Sequence, residues 1–204
     1  DADIYGPSVP RMMGISGRPQ ANENKKLIPL ESYGIKCMSI GFLVSVDTPT
    51  IWRGPMVMKA LEQMFNGVEW GSLDYLIIDL PPGTGDAHLT LAQSSKLSGS
   101  IIISTPQDIS LIDARKGINM FKRVEVKVLG LVENMSYFMC DNCNEKHYIF
   151  NKDGVKKESE KLQIPFLGDI PIDKKLRENS DEGLPVCIND PESEIAKKYI
   201  NIAK

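Results

Sequence analysis

The order of apolar and polar positions along the chain predicts strands that alternate with helices. Runs that are apolar throughout indicate strands buried on both faces; these are Ile35–Leu43, Tyr75–Leu80, Ser100–Thr105, Val126–Glu133 and Pro165–Ile170. Segments with apolar residues at helical spacing are Gly54–Phe65, Ala87–Ser95, Asp108–Arg123, Lys152–Leu162 and Glu192–Lys204. Strands that alternate with helices are typical of a doubly wound α/β fold with a parallel sheet.

The composition is that of an ordinary globular protein. The chain has 204 residues, of which 42% are apolar and 25% charged, and this length is sufficient for a well-formed core. The net charge is −3 and no long basic run occurs, which disfavours nucleic acid as the main partner. No apolar run reaches the roughly 18 residues that a membrane-spanning helix needs, so we expect no stable membrane insertion.

A polar segment at residues 137–150 interrupts the pattern and contains Cys140 and Cys143. Two thiolates at this spacing can bind zinc or an iron–sulfur cluster, and a closed site usually takes four ligands. The simplest completion is the same pair from a second copy, which predicts a metal centre shared across a homodimer. Two alternatives remain, namely a redox dithiol and a zinc site with His147 as third ligand and water or a second chain as the fourth.

The segment Tyr75–Asp86, which reads YLIIDLPPGTGD, has the pattern of a Walker B strand. Its Asp79 is predicted at the carboxyl edge of the sheet, where it can hold Mg²⁺ through water. Gly83 and Gly85 allow the backbone to approach a terminal phosphate and to donate N–H groups to it. The alternative is a strand that ends in a Pro–Gly turn.

Further polar candidates lie at predicted strand ends and helix starts. Asp1 and Asp3 can bind the water of a metal ion and orient an attacking water, or they can form a capping and turn cluster. Asn134 and Pro171 can contact an adenine base, although such residues are ordinary loop chemistry. His88, at the start of a helix, is predicted to be a surface or capping group.

Taken in order, these motifs resemble the Mrp/ApbC family of P-loop ATPases. This family belongs to the deviant Walker A group, is related to MinD and ParA, and includes bacterial iron–sulfur carriers and a mitochondrial relative used in respiratory complex I assembly. The segments that carry the resemblance span nearly the whole chain and read DADIYGPSVPRMMG, WRGPMVMKAL, DYLIIDLPPGTGD, STPQDISLIDARKGINMF, GLVENMSYFMC–NC and FLGDIPID.

The resemblance implies an iron–sulfur cluster carrier. It implies a homodimer that bridges one [4Fe–4S] cluster through Cys140 and Cys143 of both subunits. It also implies transfer of the cluster to apo iron–sulfur proteins, coupled to the binding and slow hydrolysis of ATP with Mg²⁺. The compartments that it implies are the bacterial cytoplasm or the mitochondrial matrix.

The resemblance also assigns nucleotide contacts by position. Asp3 resembles the catalytic aspartate that orients the attacking water. The other positions that resemble family contacts are Asp1 near Mg²⁺, the Walker B Asp79, Gly85 near the terminal phosphate, and Asn134 and Pro171 at the adenine.

One part of the family pattern has no match in these 204 residues, namely the phosphate loop GKGGVGKS/T. We therefore expect a single P-loop NTPase-like domain over residues 1–204 that lacks the first strand, the phosphate loop and the first helix. Residues 137–150 are its expected metal-binding insert, and ATP hydrolysis is expected of a longer protein. Two other function classes remain as alternatives, a MinD/ParA-like positioning ATPase and a zinc-stapled structural dimer.

Overall fold

The computed structural model describes residues 1–43, 54–85, 88–89, 91–92 and 96–204. The chain divides into two compact units. The first comprises Asp1–Leu91 with Asn179–Pro185, and the second comprises Ala92–Glu178 with Val186–Lys204. None of the helices in the described part of the chain is both long and apolar enough to cross a membrane.

The first unit is built around one long helix and a small antiparallel hairpin. Its elements are helix α1 (Val9–Met12), strands β1 (Leu30–Ser32) and β2 (Ile35–Cys37), a 3₁₀ turn (Ile40–Phe42) and helix α2 (Gly54–Asn66). Helix α2 buries Val57, Leu61 and Met64 against the apolar residues that follow β2. The predicted helix over Gly54–Phe65 is thus confirmed.

The predicted strand over Ile35–Leu43 is wrong beyond Cys37. The side chain of Ser39 accepts a hydrogen bond from the Gly41 N–H at 3.0 Å, and this bond starts the 3₁₀ turn. A serine that bonds to the backbone two residues ahead offers the chain an alternative to a sheet ladder. The apolar side chains of this stretch remain buried in the core of the first unit.

The segment over Tyr75–Leu80 is not assigned to a strand in the described structure. The Ala2 N–H donates to the Asp79 carbonyl at 2.7 Å, but a ladder needs successive bonds of this kind. Ile78 and Leu80 pack on the core, whereas Tyr75 is 85% and Ile77 83% exposed. The expectation that both faces of this run are buried is therefore wrong.

The second unit contains a sheet in which the longest strand is central. Parallel neighbours flank this strand on both sides, and a short antiparallel strand pairs with its end. Its strands are β3 (Ser100–Ser104), β4 (Val128–Met139), β5 (Lys146–His147) and β6 (Phe166–Ile172). The helices after β3 are α3 (Asp108–Arg123), α4 (Gly154–Leu162), α5 (Lys174–Glu182), α6 (Val186–Asn189) and α7 (Glu194–Ala203). The end of α5, from Asn179 onward, belongs to the first unit.

The parallel pairs β3–β4 and β4–β6 confirm the predicted α/β sheet. Ile118 of α3 and Val155 of α4 pack with Leu131 of β4 in one apolar cluster. The predicted helix over Asp108–Arg123 has the observed bounds. Of the predicted helix over Ala87–Ser95, residues 88, 89, 91 and 92 are helical, and the rest lies outside the described residues.

Two polar contacts hold the helices to β4 and to each other. Glu133 is only 3% exposed, and its Oε2 accepts the Val155 N–H at 2.7 Å, which joins the end of the predicted strand to the start of α4. Arg115 of α3 lies 3.3 Å from Glu158 of α4. The first contact anchors the middle of β4, the strand that leads into the turn with the cysteine pair.

Candidate functional site

The predicted metal-binding segment is a β-hairpin. Strand β4 continues beyond its predicted end to Met139, and β5 returns antiparallel to it. Phe138 lies opposite His147, and Met139 lies opposite Lys146. Because side chains alternate between the two faces of a strand, this register determines which residues of the turn share a face.

The turn of the hairpin is closed by backbone hydrogen bonds. The Cys140 N–H donates to the Glu145 carbonyl at 3.0 Å, and the Asn144 N–H donates to the Cys140 carbonyl at 2.9 Å. Asn144 has a φ of 57°, a left-handed conformation that asparagine adopts more readily than most residues. Cys140 and Cys143 are thereby held on one tight turn, as the spacing predicts.

Three potential metal ligands of two types, thiolate and imidazole, meet at this turn. The sulfurs of Cys140 and Cys143 and a ring nitrogen of His147 all lie within 4.8 Å of one another. Cys143 and His147 are exposed, and Cys140 is half-buried. Thiolates and imidazole are preferred ligands of zinc and other soft or borderline metals, so the geometry suits a metal at the surface.

The backbone of the turn prepares Cys140 as an anion. The N–H groups of Cys143 and Asn142 and the Cys143 thiol donate toward its sulfur and lower the pKa of the Cys140 thiol. The thiolate, and not the thiol, is the form that binds metals. The residues present therefore fit the role of cluster or zinc ligands.

The other face of the hairpin is aromatic and positively charged. Tyr137 and Tyr148 contact edge to face with ring centroids 6.2 Å apart. Lys146 lies 4.3 Å and Lys198 5.8 Å from the Tyr137 centroid, and Lys152 lies 5.1 Å from that of Tyr148. These cations add positive charge beside a site whose ligands are anionic.

In the first unit, the predicted carboxylates are ordered by hydrogen bonds. Asp1 Oδ2 accepts the Ser39 hydroxyl at 2.9 Å and the Val9 N–H at 3.1 Å. Asp1 Oδ1 accepts the Asp3 N–H at 3.3 Å, and Asp3 Oδ1 accepts the two N–H groups of the following turn at 3.1 Å each. Both carboxylates thus have fixed positions.

Asp79 lies close enough to Asp3 to be influenced by its charge. The protein packed around its carboxyl raises the pKa of Asp79, although the side chain keeps access to solvent. The terminal ammonium of Asp1 lowers this pKa, and the negative charge of Asp3 raises it. Like charges that share a site disfavour ionisation. A divalent cation would remove this repulsion, so the arrangement suits Mg²⁺.

A cleft of about 580 Å³ opens beside Asp3 and includes Gly85. Its lining residues are Asp3, Tyr5, Gly6, Gly54, Val57, Met58, Pro81, Pro82, Gly85 and His88. A side chain built on Gly83 or Gly85 would meet nothing within 4 Å, and Gly83 has a φ of 99°. This open backbone provides room for a ligand to approach.

Of the two roles predicted for His88, surface group or capping group, the surface position is wrong. Its side chain is only 5% exposed, and its Nδ1 has no hydrogen-bond partner among the described residues. Burial lowers the pKa of His88, and the carbonyl groups of Pro81 and Gly85 offset this in part. The position of His88 at a helix start gave no signal for this burial, which depends on tertiary packing.

The two predicted adenine contacts lie in the second unit, inside strands and not after them. Asn134 is part of β4, in register with Ile170 of β6, and Pro171 is the next residue of that neighbouring strand. The Asn134 side chain accepts the Met135 N–H at 3.0 Å. Their contact with a nucleotide stays a prediction.

Comparison with known families decides the family of the chain. A family described as "ParA: NUBPL iron-transfer P-loop NTPase" matches residues 1–204. The chain belongs to this family. The resemblance to P-loop ATPases that the motifs indicate is thus confirmed.

Curated relatives are similar to the chain over its whole length. It is 53% identical to the "iron-sulfur protein required for NADH dehydrogenase, mitochondrial" of Arabidopsis thaliana and 54% identical to the "iron-sulfur cluster transfer protein NUBPL" of Dictyostelium discoideum. It is 49% identical to the "iron-sulfur cluster carrier protein" of Escherichia coli strain K12. Each comparison covers 100% of this chain but only 65%, 64% and 55% of the respective relative.

Solved structures confirm the P-loop NTPase-like α/β fold that the sequence predicts for this chain. A nucleotide-binding protein of Archaeoglobus fulgidus, solved in complex with ADP and with cobalt found in it, is 38% identical with a TM-score of 0.79, over 97% of this chain and 76% of that one. The cell division ATPase MinD of Pyrococcus furiosus is 19% identical with a TM-score of 0.66, over 100% of this chain and 81% of that one. The second likeness concerns the fold alone.

Proposed function

We propose that this protein is an iron–sulfur cluster carrier that binds a [4Fe–4S] cluster through Cys140 and Cys143. The observation that carries the proposal is the pair of sulfurs on a closed, solvent-accessible turn. Relatives that are about half identical are named for iron–sulfur cluster transfer or carriage, which supports the same role. The cluster is the cargo of the protein.

The cluster is proposed to lie between two subunits. A [4Fe–4S] cluster takes four cysteine ligands, and each chain supplies two on its hairpin. The exposure of Cys143 leaves room for the same turn of a second copy. A cluster shared in this way is accessible from its open sides, so that apo iron–sulfur proteins can take it over by ligand exchange.

ATP with Mg²⁺ is proposed to bind at the carboxylates of the first unit. Asp1 and Asp79 would hold Mg²⁺ through its waters, Asp3 would orient the attacking water, and Gly85 would donate its N–H to the terminal phosphate. Asn134 and Pro171 are proposed adenine contacts. The cleft at Asp3 and the Archaeoglobus relative solved with ADP support this assignment.

Hydrolysis is proposed to be slow and to regulate cluster release through the geometry of the dimer. This activity is assigned to the whole protein, since the chain spans less than two thirds of its curated relatives. The recipients are apo iron–sulfur proteins. The proposed compartment is the bacterial cytoplasm or the mitochondrial matrix, in line with relatives from bacteria and one described as mitochondrial.

Iron and sulfide content after anaerobic reconstitution tests the proposal. We expect about four irons and four sulfides per dimer, with a dimeric mass in solution. Cys140→Ser is expected to abolish cluster binding, because the substitution removes one ligand from each subunit and a bridged cluster thereby loses two of its four ligands. Cys187→Ser is the matched control, since Cys187 lies in α6. Equal cluster content in Cys140→Ser and wild type would contradict the proposal.

A further inference from the structure

We propose that His147 is a third metal ligand, so that the hairpin of a single subunit binds one zinc ion with Cys140 and Cys143. The inference shares with the proposed function only the assumption that the two cysteines bind metal. It adds a second metal state, which needs neither a partner subunit nor inorganic sulfide.

The strand register places the imidazole on the cysteine side of the hairpin. Phe138 and His147 are directly opposite each other, so their side chains share a face. Cys140 follows Phe138 by two residues and therefore points to that face as well. Cys140 and His147 form a diagonal pair, a relation in which Cα atoms lie ~7–8 Å apart and long side chains can meet.

The three donor atoms are already near the spacing of one metal site. All lie within 4.8 Å of one another, whereas two sulfurs on a tetrahedral zinc with Zn–S bonds of ~2.3 Å are roughly 3.7 Å apart. The backbone bonds from Cys140 to Glu145 and from Asn144 to Cys140 hold the turn. Small rotations of exposed side chains are sufficient to close the site.

The donor set selects the ion. Two thiolates and one imidazole suit Zn²⁺, which binds such ligands more tightly than Fe²⁺ does. Three protein ligands leave a fourth position for water or an incoming sulfur ligand. The zinc-bound single chain and the cluster-bridged dimer use the same Cys140 and Cys143, so the two states exclude each other.

Other groups near the turn are weaker candidates for the third ligand. Glu145 is directly opposite Cys140 in the hairpin and is exposed, but the three-donor cluster contains His147 and not this carboxylate. Lys146 and Tyr148 contact the Tyr137 ring on the other face. Glu145 therefore provides a matched control position on the correct face.

An anaerobic zinc titration of the full chain tests the proposal, with a chromophoric chelator as competitor and Co²⁺ as a spectroscopic probe. We expect one zinc per chain at every protein concentration. Loss of the hydrogen-bond partner of a metal ligand alone typically costs ~10–100-fold in affinity. His147→Asn, which removes the ligand itself, is therefore expected to weaken zinc binding by at least ~10-fold and to change the visible d–d bands of bound Co²⁺. Glu145→Gln is expected to bind both ions like the wild type. Because His147 is exposed, the substitution leaves the core unchanged.

The outcomes separate this inference from the cluster proposal. Wild-type zinc affinity in His147→Asn, or one zinc per two chains, would overturn the inference. Full iron and sulfide content in His147→Asn, together with weakened zinc binding, supports both proposals. One zinc per chain that depends on His147, with no iron–sulfur binding by the wild type, supports the inference and overturns the cluster carrier.

Discussion

The cysteine hairpin and the carboxylate cleft both gather acidic groups, but their surroundings act on these groups in opposite directions. Backbone N–H groups lower the pKa of Cys140, whereas surrounding protein and the charge of Asp3 raise the pKa of Asp79. The hairpin thus stabilises an anion before any metal arrives. In the first unit the charges of Asp3 and Asp79 repel each other, and a bound cation would relieve this repulsion.

The two regions also differ in how far apart along the chain their residues lie. The hairpin ligands fall between Cys140 and His147, and one turn with backbone hydrogen bonds orders them. The carboxylate region combines Asp1 and Asp3 with Ser39 and Asp79. Substitutions within the hairpin are therefore expected to change the hairpin alone. Substitutions around the carboxylates are expected to have wider effects, because their arrangement depends on tertiary packing.

The largest expected effect separates the two regions chemically. Asp3→Asn in the full-length protein is expected to lower ATP turnover by about 100-fold or more, because a water-orienting carboxylate is lost, and to leave the iron content unchanged. ATP turnover and iron content are measured on the same preparation. Asp113→Asn is the control, since Asp113 forms an exposed pair with Lys116. Unchanged ATP turnover in Asp3→Asn would contradict the proposed role of Asp3 in orienting the attacking water.

A smaller effect tests the anchoring of the strand that carries the hairpin. Glu133→Ala removes the acceptor of the Val155 N–H in a buried site, and we expect a loss of about 1–3 kcal/mol in the free energy of unfolding. Glu160→Ala, at an exposed position of α4, is expected to change it by less than ~0.5 kcal/mol. Urea denaturation measures both. Equal stability of Glu133→Ala and wild type would show that this contact contributes nothing.

The smallest expected effect is a pH dependence that arises in the cleft. Because burial lowers the pKa of His88, the unfolded chain binds a proton at a higher pH than the folded one does. The free energy of unfolding is therefore expected to fall as the pH drops below ~6.5 toward the lowered pKa, and to recover above it. His88→Gln is expected to lack this fall in the free energy of unfolding. The measurement is the free energy of unfolding as a function of pH for His88→Gln and for the wild type. Parallel profiles would contradict it.

Local patterns were sufficient for the parts of the fold that depend on neighbouring residues. The bounds of α3, the strand at Ser100–Ser104 and the closeness of Cys140 to Cys143 follow from periodicity and spacing. Sequence reasoning left the role of His147 open, since its position depends on the cross-strand register with Phe138. A pattern of apolar residues carries no information about which residues face each other across a hairpin.

Other features depend on contacts that no local pattern contains. The strand predicted at Ile35–Leu43 stops where the Ser39 side chain accepts the Gly41 N–H, and the burial of His88 results from packing around Pro81 and Gly85. Glu133 ends a strongly apolar run, and a charged residue at such a place is a signal for a buried polar contact. The structure identifies that contact as the N–H of Val155.

The open segment at Tyr75–Leu80 has a consequence for handling the isolated chain. Six residues of high β-propensity with one charge, no proline and exposed Tyr75 and Ile77 form a template on which identical segments can stack between molecules. Pro81 and Pro82 follow directly and cannot donate to such a ladder, which limits its length. Concentrated preparations of the protein are therefore expected to aggregate through this segment.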